Sequence, residues 1–157
     1  MPASMKVFIP KELVANPQKL ARAATNALDG AAAGAKADFA VTTATWSHKV
    51  AFQVDKGRPD RRVVGTDDEI YGYVTGGTRP HIIVAHGKAL AFPGGGFRPK
   101  SRVRTIGSNK GSKGGAVILR PRVNHPGTTA REFEDVIAEK WQADLPITMQ
   151  RAIDAEM

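Results

Sequence analysis

Two short segments set the route of this chain. Gly77-Thr78-Arg79-Pro80-His81 opens the apolar run Ile82-Ile83-Val84, and Asn124-His125-Pro126-Gly127-Thr128 stands just before a helix-like tail. Glycine reaches backbone angles that a residue with a Cβ resists, and proline fixes φ and removes a hydrogen-bond donor. Both segments are therefore sharp direction changes. Gly77, Thr78, Pro80, His125, Pro126 and Gly127 are predicted as structural turn residues, not reacting groups. A β-rich middle lies between them.

The 157 residues suit a single domain spanning 1–157, large enough to bury a core without staples. The absence of cysteine removes disulfides, thiol nucleophiles and cysteine-based zinc sites, and it fits a reducing cytosol. No apolar run approaches the ~20 residues that span a bilayer, and Met1-Pro2-Ala3-Ser4 lacks the charged and apolar regions of a signal peptide. A soluble protein without a membrane partner is expected. The formal charge of +8 favours an anionic partner such as nucleic acid.

That charge is unevenly placed. Arg98, Lys100, Arg102, Arg104, Lys110, Lys113, Arg120 and Arg122 follow one another with no acid between them. The tail from Arg131 to Met157 is instead dominated by Glu132, Glu134, Asp135, Glu139, Asp144, Asp154 and Glu156. Such a split lets the acidic face of one copy meet the basic face of the next, although two independently solvated surfaces would read the same way.

Periodicity supplies the elements. Met5–Ile9 reads as a short strand. Asn16-Pro17 is a helix start, because asparagine caps free amides and proline is tolerated where its missing N–H would be unpaired. A helix is predicted over 17–37, with Leu20, Ala23, Ala24, Ala27 and Leu28 on a narrow face of small residues. Gly30 and Gly34 each cost roughly 1 kcal/mol inside a helix, so a break near residue 30 is the competing reading. A β-rich middle covers 39–123. Within it Val50, Phe52 and Val54 alternate on one strand, Gly57-Arg58-Pro59-Asp60 turns, and Arg61–Gly65 returns. Asp67-Asp68-Glu69 opens a helical turn carrying Ile70, Tyr71 and Tyr73. His81–Ala85 and Lys88–Phe92 are expected to form a hairpin closed by His86-Gly87.

Glycine-rich basic loops are predicted at 93–100 and 107–115, flanking a basic strand over Ser101–Ile106. Ala116–Val123 reads as a strand that lies at an edge or ends near Pro121. The C-terminal helical region is placed at 129–155, started by a capping box over Thr129-Ala130-Arg131-Glu132. Phe133, Val136, Ile137, Trp141 and Leu145 form its apolar stripe, and Pro146 is expected to kink or divide it. The predicted fold class is α+β: one domain, an antiparallel or mixed sheet packed by an N-terminal helix and a C-terminal amphipathic helix, with long glycine-rich loops.

No motif for bond-making chemistry emerges. Gly107 to Gly115 fails as a phosphate-cradling loop, because Ser112 precedes Lys113 and the next element reads as a strand. His81 and His86 would project from opposite faces of a continuous strand, and His125 between Asn124 and Pro126 reads as a turn residue, so no metal site is expected. There is no Gly-x-Ser-x-Gly elbow and no recognisable triad order, which leaves only a dispersed hydrolase site as an enzymatic alternative. No catalytic residue and no cofactor is expected. A strand over Ser101–Ile106 would set Arg102 and Arg104 on one side, able to reach phosphates or neighbouring carboxylates. Phe97 is the one stacking aromatic nearby, which argues against single-strand binding through base stacking. The basic residues from Arg98 to Arg122 are thus candidates for a subunit interface or for non-specific DNA contact.

The order Tyr71-Gly72-Tyr73-Val74-Thr75-Gly76-Gly77-Thr78-Arg79-Pro80-His81, Lys88-Ala89-Leu90-Ala91-Phe92, Val123-Asn124-His125-Pro126-Gly127-Thr128 and then Phe133 resembles the tail-component family of long-tailed bacteriophages. The resemblance covers about residues 70–135. It departs between Gly94 and Gly115, where the basic segment is longer, and around Thr42–Ser47, where the usual entry to the sheet is not evident. The resemblance implies a non-enzymatic virion protein, present in the host cytoplasm during assembly. It further implies a homo-oligomeric ring, sixfold or twelvefold, that touches other neck, connector and tail-tube proteins and surrounds passing double-stranded DNA.

Overall fold

The computed structural model describes residues 16–156, the side chains at 96 and 97 excepted; the strand expected over Met5–Ile9 lies outside them. Three helices and six strands follow in the order α1 (Pro17–Thr43), β1 (Gln53–Arg58), β2 (Arg61–Gly65), α2 (Glu69–Gly76), β3 (His81–Val84), β4 (Leu90–Arg98), β5 (Ser112–Arg120), β6 (Arg122–His125) and α3 (Phe133–Asp154). The class is α+β, with a helix near each end. The strands form three separate antiparallel pairs, β1 with β2, β3 with β6 and β4 with β5, and no larger sheet joins them among the described residues.

α1 begins as its sequence dictates. The Asn16 side chain accepts from the Gln18 amide at 3.0 Å, and Pro17 occupies the first turn. It then runs through both glycines to Thr43, six residues beyond the predicted end. The two glycines differ in purpose. A Cβ on Gly30 would meet nothing within 4 Å, whereas one on Gly34 would collide with the Trp141 ring. Gly34 thus lets α3 approach α1 closely. Trp141 Nε1 then donates to Asp38 Oδ2 at 2.9 Å, and Lys140 Nζ reaches the same oxygen at 2.7 Å. The alanine face buries Ala23, Ala27, Ala31 and Ala32.

The core is aromatic. Tyr71 of α2 sits among Phe52 at 5.1 Å, Phe133 at 6.0 Å, Phe39 at 6.3 Å and Trp46 at 6.4 Å between ring centroids. Edge-to-face and offset geometries of this kind favour ring pairs beyond simple burial. Burial, with Glu134 adding to it, pushes the Tyr71 phenol well above its ordinary value of 10.0. Thr75 and Thr42 lie near enough to favour the phenolate slightly, yet the hydroxyl closes no hydrogen bond of proper geometry among the described residues. Phe133 and Ile137 bring the α3 stripe into this cluster, with Val136 and Trp141 packed against it. The β1–β2 hairpin is pinned to α1 by Arg62, whose Nε meets Asp29 Oδ1 at 2.6 Å while its Nη1 donates to the Arg58 carbonyl.

The middle of the chain departs from the sequence reading. His81–Ala85 and Lys88–Phe92 do not pair as a hairpin: β3 pairs with β6 and β4 with β5. The chain over 81–98 and its return over 112–125 therefore form one long two-stranded ribbon, interrupted where Pro121 cannot donate to the ladder. There the Ala85 amide donates to the Pro121 carbonyl at 2.9 Å. The loop expected at 93–100 is strand as far as Arg98, whereas the one expected at 107–115 is strand only from Ser112 onward. Gly95 faces Gly114 across register shifts, so these glycines serve backbone approach at bulges. Ser101–Ile106 is not a strand but a succession of turns and bends, and it buries Ser101.

α3 departs from its prediction at its start and at Pro146. The Thr129 capping box does not form. The helix starts at Phe133, Glu132 takes left-handed angles (φ 53°) with no side-chain cap bond, and Thr75 Oγ1 accepts from the Phe133 amide at 3.2 Å instead. Pro146 lies inside one continuous helix and does not divide it.

The glycine pair in α1 is a matched test. Gly30→Ala should stabilise the protein by about 0.5–1 kcal/mol through helix propensity. Gly34→Ala should destabilise it by about 1–3 kcal/mol, because the Trp141 ring must be displaced. Thermal or urea unfolding of the two variants reads the opposite signs.

Candidate functional site: a basic arch and the cavity between its feet

The ribbon stands on two feet. At the first, the two corner segments meet directly. The Thr78 amide donates to the Thr128 carbonyl at 2.9 Å, the Thr128 amide returns to the Thr78 carbonyl at 3.1 Å, and Thr78 Oγ1 also accepts from the Thr128 amide at 3.0 Å. Both glycines have positive φ, 73° at Gly77 and 87° at Gly127. A Cβ on Gly77 would come within 2.6 Å of the Thr128 carbonyl oxygen, and one on Gly127 within 2.9 Å of the Arg79 carbonyl carbon and 3.1 Å of the Pro80 nitrogen. Each glycine clears space for the other segment's backbone. All six predicted turn residues, Gly77, Thr78, Pro80, His125, Pro126 and Gly127, are brought together here.

The histidines of this foot are polar struts. The His125 and His81 rings lie 5.0 Å apart, on paired positions of β6 and β3. His125 Nδ1 accepts from the Gly127 amide at 3.1 Å, and His81 Nδ1 meets the Arg79 carbonyl at 2.8 Å. Opposite tautomers follow: His125 is unprotonated at Nδ1, and His81 carries its proton there. Among the described residues no group of three or more His, Asp or Glu could hold a metal ion.

The second foot is the connection between β4 and β5. Thr45 Oγ1 donates to the Asn109 carbonyl at 2.6 Å, its amide meets Ser108 Oγ at 3.3 Å, and Ile106 packs on the core. Arg104 locks the connection onto α3. It adopts left-handed angles (φ 49°), its amide donates to the Arg131 carbonyl at 2.8 Å, and its guanidinium grips both oxygens of Glu139 at 2.6 Å and Glu132 at 3.2 Å. Glu139 first, then Glu132, raises the already high pKa of Arg104. Arg104 therefore does not share a strand face with Arg102, and its charge is spent on the acidic tail of its own chain.

Because both feet rest on the body, the ribbon is a bent arch. Arg98, Lys113, Arg120 and Arg122 lie on its strands, all exposed. Lys100 and Arg102 lie in the connection with Lys110, Lys100 being half-buried. The acid-free stretch in fact runs from Ile70 to Arg131, so the whole arch is a surface of one sign. It is also apolar: Ile82 (57%), Val84 (61%), Val117 (67%) and Leu119 (63%) stand in solvent. Val117 and Leu119 share one face with Pro93 and Ala91 across the ladder. Among the described residues no helix packs broadly on β4 or β5.

Between the feet a cavity of about 410 Å³ opens to solvent, with His125, Thr128 and Arg131 on one side and Pro99, Lys100 and Ser101 on the other. Trp46, Ile70 and Val74 supply its apolar wall. Beside it His48 meets Asp68, whose other oxygen caps α2 by accepting from the Tyr71 amide at 2.8 Å. His48, then the Tyr71 amide, holds the Asp68 carboxyl below its ordinary value of 3.8. Sequence reasoning had singled out Lys100 and His125 but not Arg131 or Trp46. Nothing in the local pattern marks those two, because the cavity is assembled from segments far apart in the chain.

Comparison with protein-family models, with curated proteins and with solved structures finds no match. No helix among the described residues is long and apolar enough to cross a membrane.

Two outcomes check this geometry. Gly127→Ala should cost at least about 2 kcal/mol, since it forces an L side chain into a left-handed conformation and against the Thr78–Pro80 backbone; calorimetry should show a Tm lower by several degrees. The Asp68 pKa is depressed on folding, so its stabilisation is fully present above 3.8 and is lost as pH falls through the lower folded value. Asp29, lowered by Arg62 and then Lys56, acts in the same sense. Asp68→Asn keeps a cap acceptor but removes the charge, so Tm measured from pH 7 down to pH 2 should fall less steeply than in the parent.

Proposed function

We propose that this chain is a structural subunit of a tailed-bacteriophage virion, a neck or tail-completion protein that forms an oligomeric ring between the head–tail connector and the tail tube. The observation that carries the reading is the arch, which exposes an apolar face while every charge on it is positive. Large exposed apolar groups on a ribbon mark a docking surface. The exposed acids Glu134 and Asp135 at the start of α3 supply a complementary surface elsewhere on the same chain. A basic patch that meets an acidic patch on a second copy is a heterologous contact, and heterologous contacts close into rings when the rotation permits. The ordered motifs from Tyr71 to Phe133 support the same reading through their resemblance to phage tail components. The virion is the location that follows from it.

A second reading, non-specific DNA binding, is favoured by the exposed Arg98, Arg102, Lys113, Arg120 and Arg122, which have no carboxylate partner among the described residues. The two are compatible if the arch faces the channel, but they differ in what the apolar face does.

The double variant Val117→Asp with Leu119→Asp separates them. In the ring reading, mass photometry and two-dimensional class averages of the parent show closed rings, and the variant is monomeric with an unchanged Tm. A parent that stays monomeric at about 100 μM, yet binds duplex DNA with a steep salt dependence, would replace the ring with the DNA-binding reading.

A further inference from the structure

The cavity between the feet of the arch is electrostatically incomplete. Among the described residues its lining holds two permanent cations, Lys100 and Arg131, and no carboxylate. Arg131 is half-buried, and its backbone is fully used: the amide donates to the Val74 and Thr75 carbonyls at 3.1 and 3.0 Å, and the carbonyl accepts from Arg104. Its guanidinium is not. Nε is buried with no hydrogen-bond partner among the described residues. Glu132, its neighbour in the chain, is held by Arg104, as is Glu139. A guanidinium keeps its charge at any ordinary pH and offers five donors in a planar fork. Buried polar groups of this kind are normally paired, and this one leaves the guanidinium short of an acceptor beside the cavity that Arg131 lines.

The rest of the lining selects that ligand. Trp46, Val74 and Pro99 form an apolar wall beside the cations, and about 410 Å³ is the room needed by a small molecule or a short peptide segment, far too little for a duplex backbone. An inorganic phosphate would leave that wall unused. A carboxylate on an apolar stem uses both parts. The Ser101 side chain, buried in the second foot, and Thr128 of the first foot add hydroxyl groups at the rim.

We propose that this cavity binds a carboxylate carried on a short apolar stem, with Arg131 and Lys100 gripping the carboxylate and Trp46, Val74 and Pro99 enclosing the stem. The site does not depend on the ring: it is complete within one chain. The carboxylate comes either from a free organic acid or from an acidic side chain of a peptide, and the chemistry is shared.

The test is a ¹⁵N–¹H NMR titration of the full chain at constant ionic strength. Sodium hexanoate should give saturable shifts at the Trp46 indole, Ser101 and Thr128 with a midpoint of about 1–10 mM, in line with the efficiency of small ligands. Hexanamide and inorganic phosphate should bind at least about tenfold more weakly. Arg131→Gln should abolish the hexanoate response. Lys100→Gln should weaken it several-fold and stands in if the first variant does not fold. A second arm uses acetyl-Ala-Leu-Glu-amide: the same shifts assign the site to peptide carboxylates, and a response to hexanoate alone assigns it to free acids. Equal binding of hexanoate and hexanamide, tighter binding of phosphate, no saturable response, or indifference to both substitutions would overturn the proposal. None of these results bears on ring formation, which the Val117 and Leu119 variant tests separately.

Discussion

Thr78 and Thr128 exchange both backbone hydrogen bonds at the point where the arch leaves the body, and most of the molecule's shape follows from that clamp. Backbones approach so closely only because Gly77 and Gly127 each lack the Cβ that would fill the other's space. The clamp sets the register of β3 against β6, places His81 opposite His125, and hands the chain to Arg131 and α3. Without it a long ribbon would be held by the second foot and by little else among the described residues.

The second foot is held by different physics. Arg104 forms a bidentate contact with Glu139 and a further one with Glu132, which joins the basic middle of the chain to its acidic tail within one copy. Exposed ion pairs are individually weak. Here the pair is reinforced by the buried Ser101, by Ile106 on the core and by the hydrogen bonds of Thr45, so the connection is fixed by several small contributions. One consequence is electrostatic. With Glu132 and Glu139 engaged by Arg104, Arg131 Nε has no partner and no carboxylate lines the cavity among the described residues.

Local patterns were legible where the physics is local. The Asn16-Pro17 start of α1, the β1–β2 hairpin around Pro59-Asp60, the short α2 opened at Asp68, the break at Pro121 and the α3 stripe from Phe133 to Trp141 all follow from capping, turn chemistry and periodicity within a few residues. The misread parts depend on distant partners. The glycine-rich parts of β4 and β5 look like loops because their glycines face each other only once the two strands are paired. The Thr129 box has the right residues, yet Glu132 is drawn to Arg104 and Thr75 takes over the cap. Gly34 looks like a helix breaker until Trp141 is set against it.

The sequence by itself determined that the chain is α+β, that it turns sharply at Gly77–Pro80 and at His125–Gly127, and that its charge is divided between a basic middle and an acidic tail. These are consequences of backbone stereochemistry and of residue order, and they need no partner. Only the tertiary structure decided that the two corners clasp each other, that β3 pairs with β6 instead of β4, and that Arg131 faces a cavity without a counter-charge. Pairing across dozens of residues is chosen by the total of packing, hydrogen bonding and charge, and that total exists only when the distant segments have met.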